Sequence, residues 1–151
     1  MEIYFIAGGM LSFVILGNLL IHFYYKKKHK IFLQSLKGKQ YMLFNKLNVE
    51  MESVTKLSYR YEFNKADIVI LDQDIFILLF TKLFGMAQPI LQISNSNDVF
   101  QHVQKKFPFD SKFRVNGKLR IKGSLGQGLV GTQYKIFIDF NTVDFDLNSI
   151  I

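Results

Sequence analysis

The sequence predicts a mainly β fold: an N-terminal transmembrane helix followed by a small antiparallel sandwich or partly open barrel that carries one short helix. Three observations lead there. Residues 3–25 form an uncharged apolar run that ends abruptly at Lys26-Lys27-Lys28-His29-Lys30. Several stretches after residue 50 alternate apolar and polar side chains with the period of two that a half-buried strand requires. Turn-forming clusters, among them Asp72-Gln73-Asp74 and Asn116-Gly117, separate those stretches.

As a helix, the apolar run is about 34 Å long at about 1.5 Å per residue, enough for a hydrocarbon core of about 30 Å. Its Leu, Ile, Phe and Val residues favour insertion by roughly 4 to 7 kcal/mol, and Ser12, Asn18 and His22 subtract less than that. Four lysines follow the run directly and only Glu2 precedes it, so the positive-inside rule puts the N-terminus outside and the remaining chain in the cytoplasm. The rival reading is an exported domain whose helix is a signal sequence. It needs a basic n-region and a small-residue cleavage site after the apolar core, and residues 1–30 supply neither. Asn18, with Gly8, Gly9 and Gly17 nearby, leaves a homo-oligomer through this helix open.

Residues 1–30 are therefore read as anchor and basic flank, and residues 31–151 as one small domain. The chain holds 19 Lys and Arg against 12 Asp and Glu, and every basic residue lies after position 25. Lys26, Lys27, Lys28 and Lys30 are candidate membrane-surface contacts, since each basic residue near an anionic leaflet gains about 1 kcal/mol. Setting topology alone is their simpler role.

Residues 31–48 read two ways, as a continuation of the helix or as the start of the β domain. Residues 54–63 place Leu57, Tyr59, Tyr61 and Phe63 on one face of a strand, turned by Asn64-Lys65. Residues 67–71 and 75–81 make a hairpin around Asp72-Gln73-Asp74. Gly85 breaks the next stretch, and residues 89–93 form a strand that opens on Pro89, where a missing N–H costs least. Ser94 to Asp98 then suit an N-cap, and Val99, Phe100, Val103 and Phe107 keep helical spacing up to Pro108, which predicts the short helix. Residues 113–123 alternate around Asn116-Gly117, a strong hairpin signal. Residues 134–140 form a last clear strand, and Asp139, Asp144 and Asp146 alternate with apolar residues as an edge strand would.

The run Ala66-Asp67-Ile68-Val69-Ile70-Leu71, its polar turn, the apolar stretch after it and then Gln88-Pro89-Ile90-Leu91-Gln92-Ile93 resemble the central part of pleckstrin-homology-like and GRAM-type domains. The likeness spans roughly residues 54–140 and implies a binding or scaffolding module rather than a catalyst. The basic loop with which that family binds phosphoinositides has no counterpart, because the corresponding turns are Asn64-Lys65 and the acidic Asp72-Gln73-Asp74. The family also closes with an amphipathic helix, whereas residues 141–151 read as extended and would leave one barrel end uncovered.

Gly126, Gly128 and Gly131 match the spacing of a dinucleotide-binding loop, but a strand pattern follows them instead of a helix. With Gly123 they are read as a flexible loop and a candidate partner contact. There is no cysteine, and His22, His29 and His102 lie far apart, so no metal, cofactor or catalytic residue is assigned. Lys112, Arg114, Lys118, Arg120 and Lys122 form a second basic stripe, which raises nucleic acid as a partner. Such lysines also protect sheet edges, and the membrane tether favours lipid or a protein partner over nucleic acid. The function expected is a membrane-anchored binding or scaffolding module on the cytoplasmic face, touching anionic lipid or a protein. The alternatives are a small membrane-bound enzyme and an exported domain.

Overall fold

A computed structural model describes residues 2–54, 58–82, 84–98, 100–125 and 132–150, without the side chains of residues 2–7, 54 and 58–64. One long helix, α1 (Glu2–Ser35), leads into eight strands. These are β1 (Met42–Val54), β2 (Ser58–Leu71), β3 (Asp74–Phe80), β4 (Ala87–Ile93), β5 (Lys105–Phe107), β6 (Ser111–Val115), β7 (Lys118–Leu125) and β8 (Thr132–Asp139). They form one mixed sheet in the order β5-β4-β3-β2-β1-β8-β7-β6, antiparallel throughout except for the parallel pair β4–β5. The ambiguity over residues 31–48 resolves cleanly. The helix runs through the lysines to Ser35, Gly38 at φ +86° turns the chain, and β1 begins at Met42.

The sheet is curled into a half-barrel. Its two edge strands, β5 and β6, are joined by only residues 108–110, which forces the edges together. That connection is held from the sheet's inside: the Asp110 N–H donates to the Lys122 carbonyl of β7 at 2.8 Å, and the Tyr134 hydroxyl of β8 donates to the Pro108 carbonyl. A bulge in β1 assists the bend: Lys46 sits at φ +59°, the register with β2 shifts on either side of Leu47, and the freed Lys46 N–H donates to Asp67 at 2.9 Å.

Both faces of the middle strands are buried, which explains why residues 66–80 read as nearly continuous apolar sequence. Ala66, Ile68, Ile70, Ile75, Ile77 and Leu79 fill the inside of the half-barrel with Ile93, Leu119, Ile121, Ile136 and Ile138. Val69, Leu71, Phe76, Leu78 and Ile90 face outward, and Phe32 and Leu36 of α1 cover them.

Several expectations change. Asn64-Lys65 is not a turn, because β2 passes through it with Lys65 opposite Phe80 and Ala66 opposite Leu47. The 54–63 stretch belongs to two strands, with Val54 paired to Ser58 across a connection at 55–57 that lies outside the described residues. Asp74 is a strand residue rather than a turn residue; only Asp72 and Gln73 turn, with Asp72 at φ +53°. Pro89 is the third residue of β4, and it sits beside a register irregularity with β3 where a ladder N–H is dispensable.

The helix expected over 99–107 is absent among the described residues there. Phe100 packs edge-on against Phe76 at 4.9 Å, Gln101 and His102 turn with His102 at φ +73°, and residues 105–107 form β5. Apolar spacing over nine residues was satisfied instead by pinning Phe100 and Val103 to the outer core and Phe107 to the inner one. A helix that short has little stability of its own to resist such pinning.

No edge strand follows Asp139. Asn141 and Thr142 turn the chain, and Asp146 caps a single 3-10 turn, Leu147–Ser149. Phe140, Leu147 and Ile150 enter the inner core, and Phe140, Phe145 and Phe44 stack with centroids 4.8–5.4 Å apart. This apolar plug covers the barrel end that the sequence pattern had left open.

Candidate functional site at the helix–sheet joint

Along α1, His22, His29, Phe32 and Leu36 meet the body and share one face, at spacings of two turns and then of three and four residues. The Ala87 N–H donates to His22 Nδ1 at 3.0 Å, and His29 Nε2 donates to the Gln88 carbonyl at 2.7 Å. Both partners lie at the start of β4, ahead of the part that pairs with β5, so their backbone groups need partners from outside the sheet. The His29 ring also stands edge-on to Phe80, with centroids 5.4 Å apart. Burial pushes His29 below its ordinary pKa of 6.5, and the Gln88 hydrogen bond and the Asp67 charge oppose that shift without cancelling it. Further along, Phe32 packs on Phe76 at 4.9 Å. Contacts thus advance together along α1 and β4, so the helix runs away from the end of the half-barrel where β4 begins.

Among the described side chains before His22, the large apolar ones have no cover from the body. Met10, Leu11, Phe13, Val14, Ile15, Leu16, Leu19, Leu20 and Ile21 are all exposed, in a helix of mean hydropathy 1.4 that is long and apolar enough to cross a membrane. The apolar run before His22, residues 3–21, is about 28 Å long as a helix, still close to a hydrocarbon thickness of about 30 Å. Lys26, Lys27 and Lys30 are exposed just beyond it, and the Lys28 ammonium lies 4.5 Å over the Tyr24 ring. Asn18 donates to the Val14 carbonyl of its own helix at 2.8 Å.

The antiparallel order sets the ends of β1, β3 and β7 and the starts of β2, β4 and β8 at one end of the half-barrel, the end where α1 first meets β4. Two adjoining cavities open there, of about 370 and 420 Å³. Met51, Ser53, Lys105 and Phe107 line both; Leu79, Pro89 and Leu91 extend the first, Leu125 and Tyr134 the second. The walls are the unfilled continuation of the inner core, with Lys105 at both cavities and Lys106 at the second as the charged groups. Cavities of this size, mostly apolar with few polar groups, suit an apolar ligand. Among the described residues no three His, Cys, Asp or Glu converge to hold a metal.

Other candidates separate. Gly123 is not in a loop but buried in β7, where a Cβ would come within 2.3 Å of both the Pro108 carbonyl and the Tyr134 hydroxyl. Gly126, Gly128 and Gly131 lie outside the described residues. The second basic stripe is largely engaged within the sheet: Arg120 stacks 5.2 Å from both Phe113 and Phe137, and Lys118 lies 3.7 Å from Glu50 and 3.9 Å from Asp139. Lys112 donates to the Gln73 carbonyl at 3.1 Å, and burial lowers its pKa against the pull of Asp74. His102 occupies a turn, Asp72 is exposed, and Asp74 is buried with Gln92 Nε2 at 3.1 Å.

Neither the joint nor the cavity stands out in the sequence. The joint had a signal in the recurrence of His22, His29, Phe32 and Leu36 on one helix face, masked by the uniform apolarity preceding it. The cavity had none, because its lining comes from β1, β3, β4, β5, β7 and β8. No protein-family model, curated protein or solved structure matches this chain.

Proposed function

We propose that the chain is a single-pass membrane protein, N-terminus outside, whose cytoplasmic half-barrel is a binding or scaffolding module for an apolar group presented at the leaflet. The observation that carries this reading is the coincidence of the cavity mouth with the end at which the apolar part of α1 departs. Lysines 26, 27, 28 and 30 flank that end and suit anionic headgroups. The joint also weighs against a cleaved signal, since losing α1 would bare Val69, Phe76, Leu78 and Ile90. We read the body as pleckstrin-homology-like, supported by the curled meander of β1–β4 and the β6–β7–β8 hairpins. Here the chain after β8 closes the barrel end that a helix closes in that family.

The binding reading is tested by replacing Met51 with a photo-crosslinking phenylalanine analogue in the full chain and irradiating intact cells. Attachment of a lipid, or of one discrete protein, to residue 51 is expected. Irradiation that yields only unmodified chain would contradict the reading.

A further inference from the structure

The turn between β3 and β4 holds the most exposed large apolar side chain of the body among the described residues. Phe84 is 73% exposed, against 41% for Met42, 39% for Leu43 and 37% for Val115. Isolated exposed apolar residues are common and need no explanation by themselves. This one stands where the protein meets the end of its apolar helix.

The turn is fixed to α1 on its outgoing side, because Ala87 donates to His22 Nδ1 at 3.0 Å, and on its incoming side, because Phe80 packs on His29. Since contacts advance along α1 and β4 together, the described residues of the turn, 81, 82 and 84–86, project past Ala87 toward the uncovered stretch of helix. The turn is also well braced. Thr81 and Met86 bond at 2.9 Å through the Thr81 N–H and the Met86 carbonyl, the Gly85 N–H donates to the Thr81 carbonyl at 3.0 Å, and the Met86 N–H donates to Thr81 Oγ1 at 3.0 Å. Gly85 takes φ +60°, a value that glycine adopts without strain. Phe84 is therefore held away from the body rather than free to fold back on it. Lys82 in the same turn is exposed as well, which pairs an apolar wedge with a cation as interfacial segments do.

We infer that this turn is a second membrane contact, in which Phe84 enters the headgroup and upper acyl region of the leaflet from which α1 emerges. The inference rests on α1 crossing the membrane. With the helix it gives the body two points of attachment, which restricts its rotation about α1 and holds the cavity mouth against the lipid.

The chain has no tryptophan, so Phe84→Trp creates a single tryptophan, whose emission is excited at wavelengths that the tyrosines do not absorb. Full-length Phe84→Trp protein is reconstituted into vesicles of phosphatidylcholine and phosphatidylglycerol, with bromine on the acyl chains either near the headgroup or near the chain end. Insertion to a depth of about 5–10 Å predicts blue-shifted emission that loses roughly half its intensity to the shallow bromine and less to the deep one. Water-like emission that neither bromine changes would overturn the inference. So would blue-shifted emission insensitive to bromine, which would place Phe84 against protein, a partner or a second copy. Phe13→Trp is the companion variant: strong quenching by the deep bromine is expected, and its absence would remove the spanning helix itself. Quenching of Phe13→Trp without quenching of Phe84→Trp removes only the turn.

Discussion

His29 joins a titratable ring to a structural contact. Its Nε2 proton is committed to the Gln88 carbonyl, its ring is buried against Phe80, and Asp67 and His22 are the titratable groups whose charges act on it. Burial lowers its folded-state pKa below 6.5, so the unfolded chain binds the proton more readily. The stabilising contribution of the neutral ring is therefore complete above pH 6.5 and is lost as pH falls below it toward the folded pKa. The expected outcome is a melting temperature of the full-length protein in detergent that drops between about pH 7.5 and about pH 5.5. His29→Gln, which keeps a donor and cannot titrate, should flatten that drop; an unchanged drop in the variant would assign the pH dependence elsewhere.

Among the elements, α1 has two different halves, and Phe32 shows what the second half does. It is fully buried on Phe76 beneath the outer face of the sheet. Phe32→Ala should cost about 3–5 kcal/mol, the range for emptying an aromatic core site. Hydrogen exchange should locate the effect, rising in the second half of α1 and in β4 while β7 and β8 keep their protection. Uniform loss of protection would show that the helix is integral to one cooperative unit rather than docked on it. The elements also show how far the sequence could be read. Hairpins turned by Asp72-Gln73 and Asn116-Gly117 were legible because local chemistry dictates them: Asn116 at φ +50° and Gly117 at φ +74° need those residue types. Tyr134, Ile136, Ile138 and Phe140 were legible because one face of β8 is buried and the other is not. By contrast, at Asn64-Lys65 and residues 100–107 long-range pairing overrides local preference, through β1 and β3 in one case and through β4 and two cores in the other. At the level of the site, Lys26 to Lys30 are visible in the sequence, but the cavity is a product of curling six strands together.

The whole molecule is a curled sheet carried on a helix that changes environment at His22. From Met10 to Ile21 the large apolar side chains are uncovered, and beyond His22 the same helix is part of the body's packing. The absence of cysteine makes the central claim directly measurable through single-cysteine variants of the full chain in intact cells. With a membrane-impermeant maleimide, Glu2→Cys should label from outside, Phe13→Cys should resist labelling before and after permeabilisation, and the exposed Asn148→Cys should label only after permeabilisation. Labelling of Asn148→Cys in intact cells, or of Phe13→Cys in permeabilised ones, would contradict a helix that spans the membrane and holds the half-barrel on its inner face.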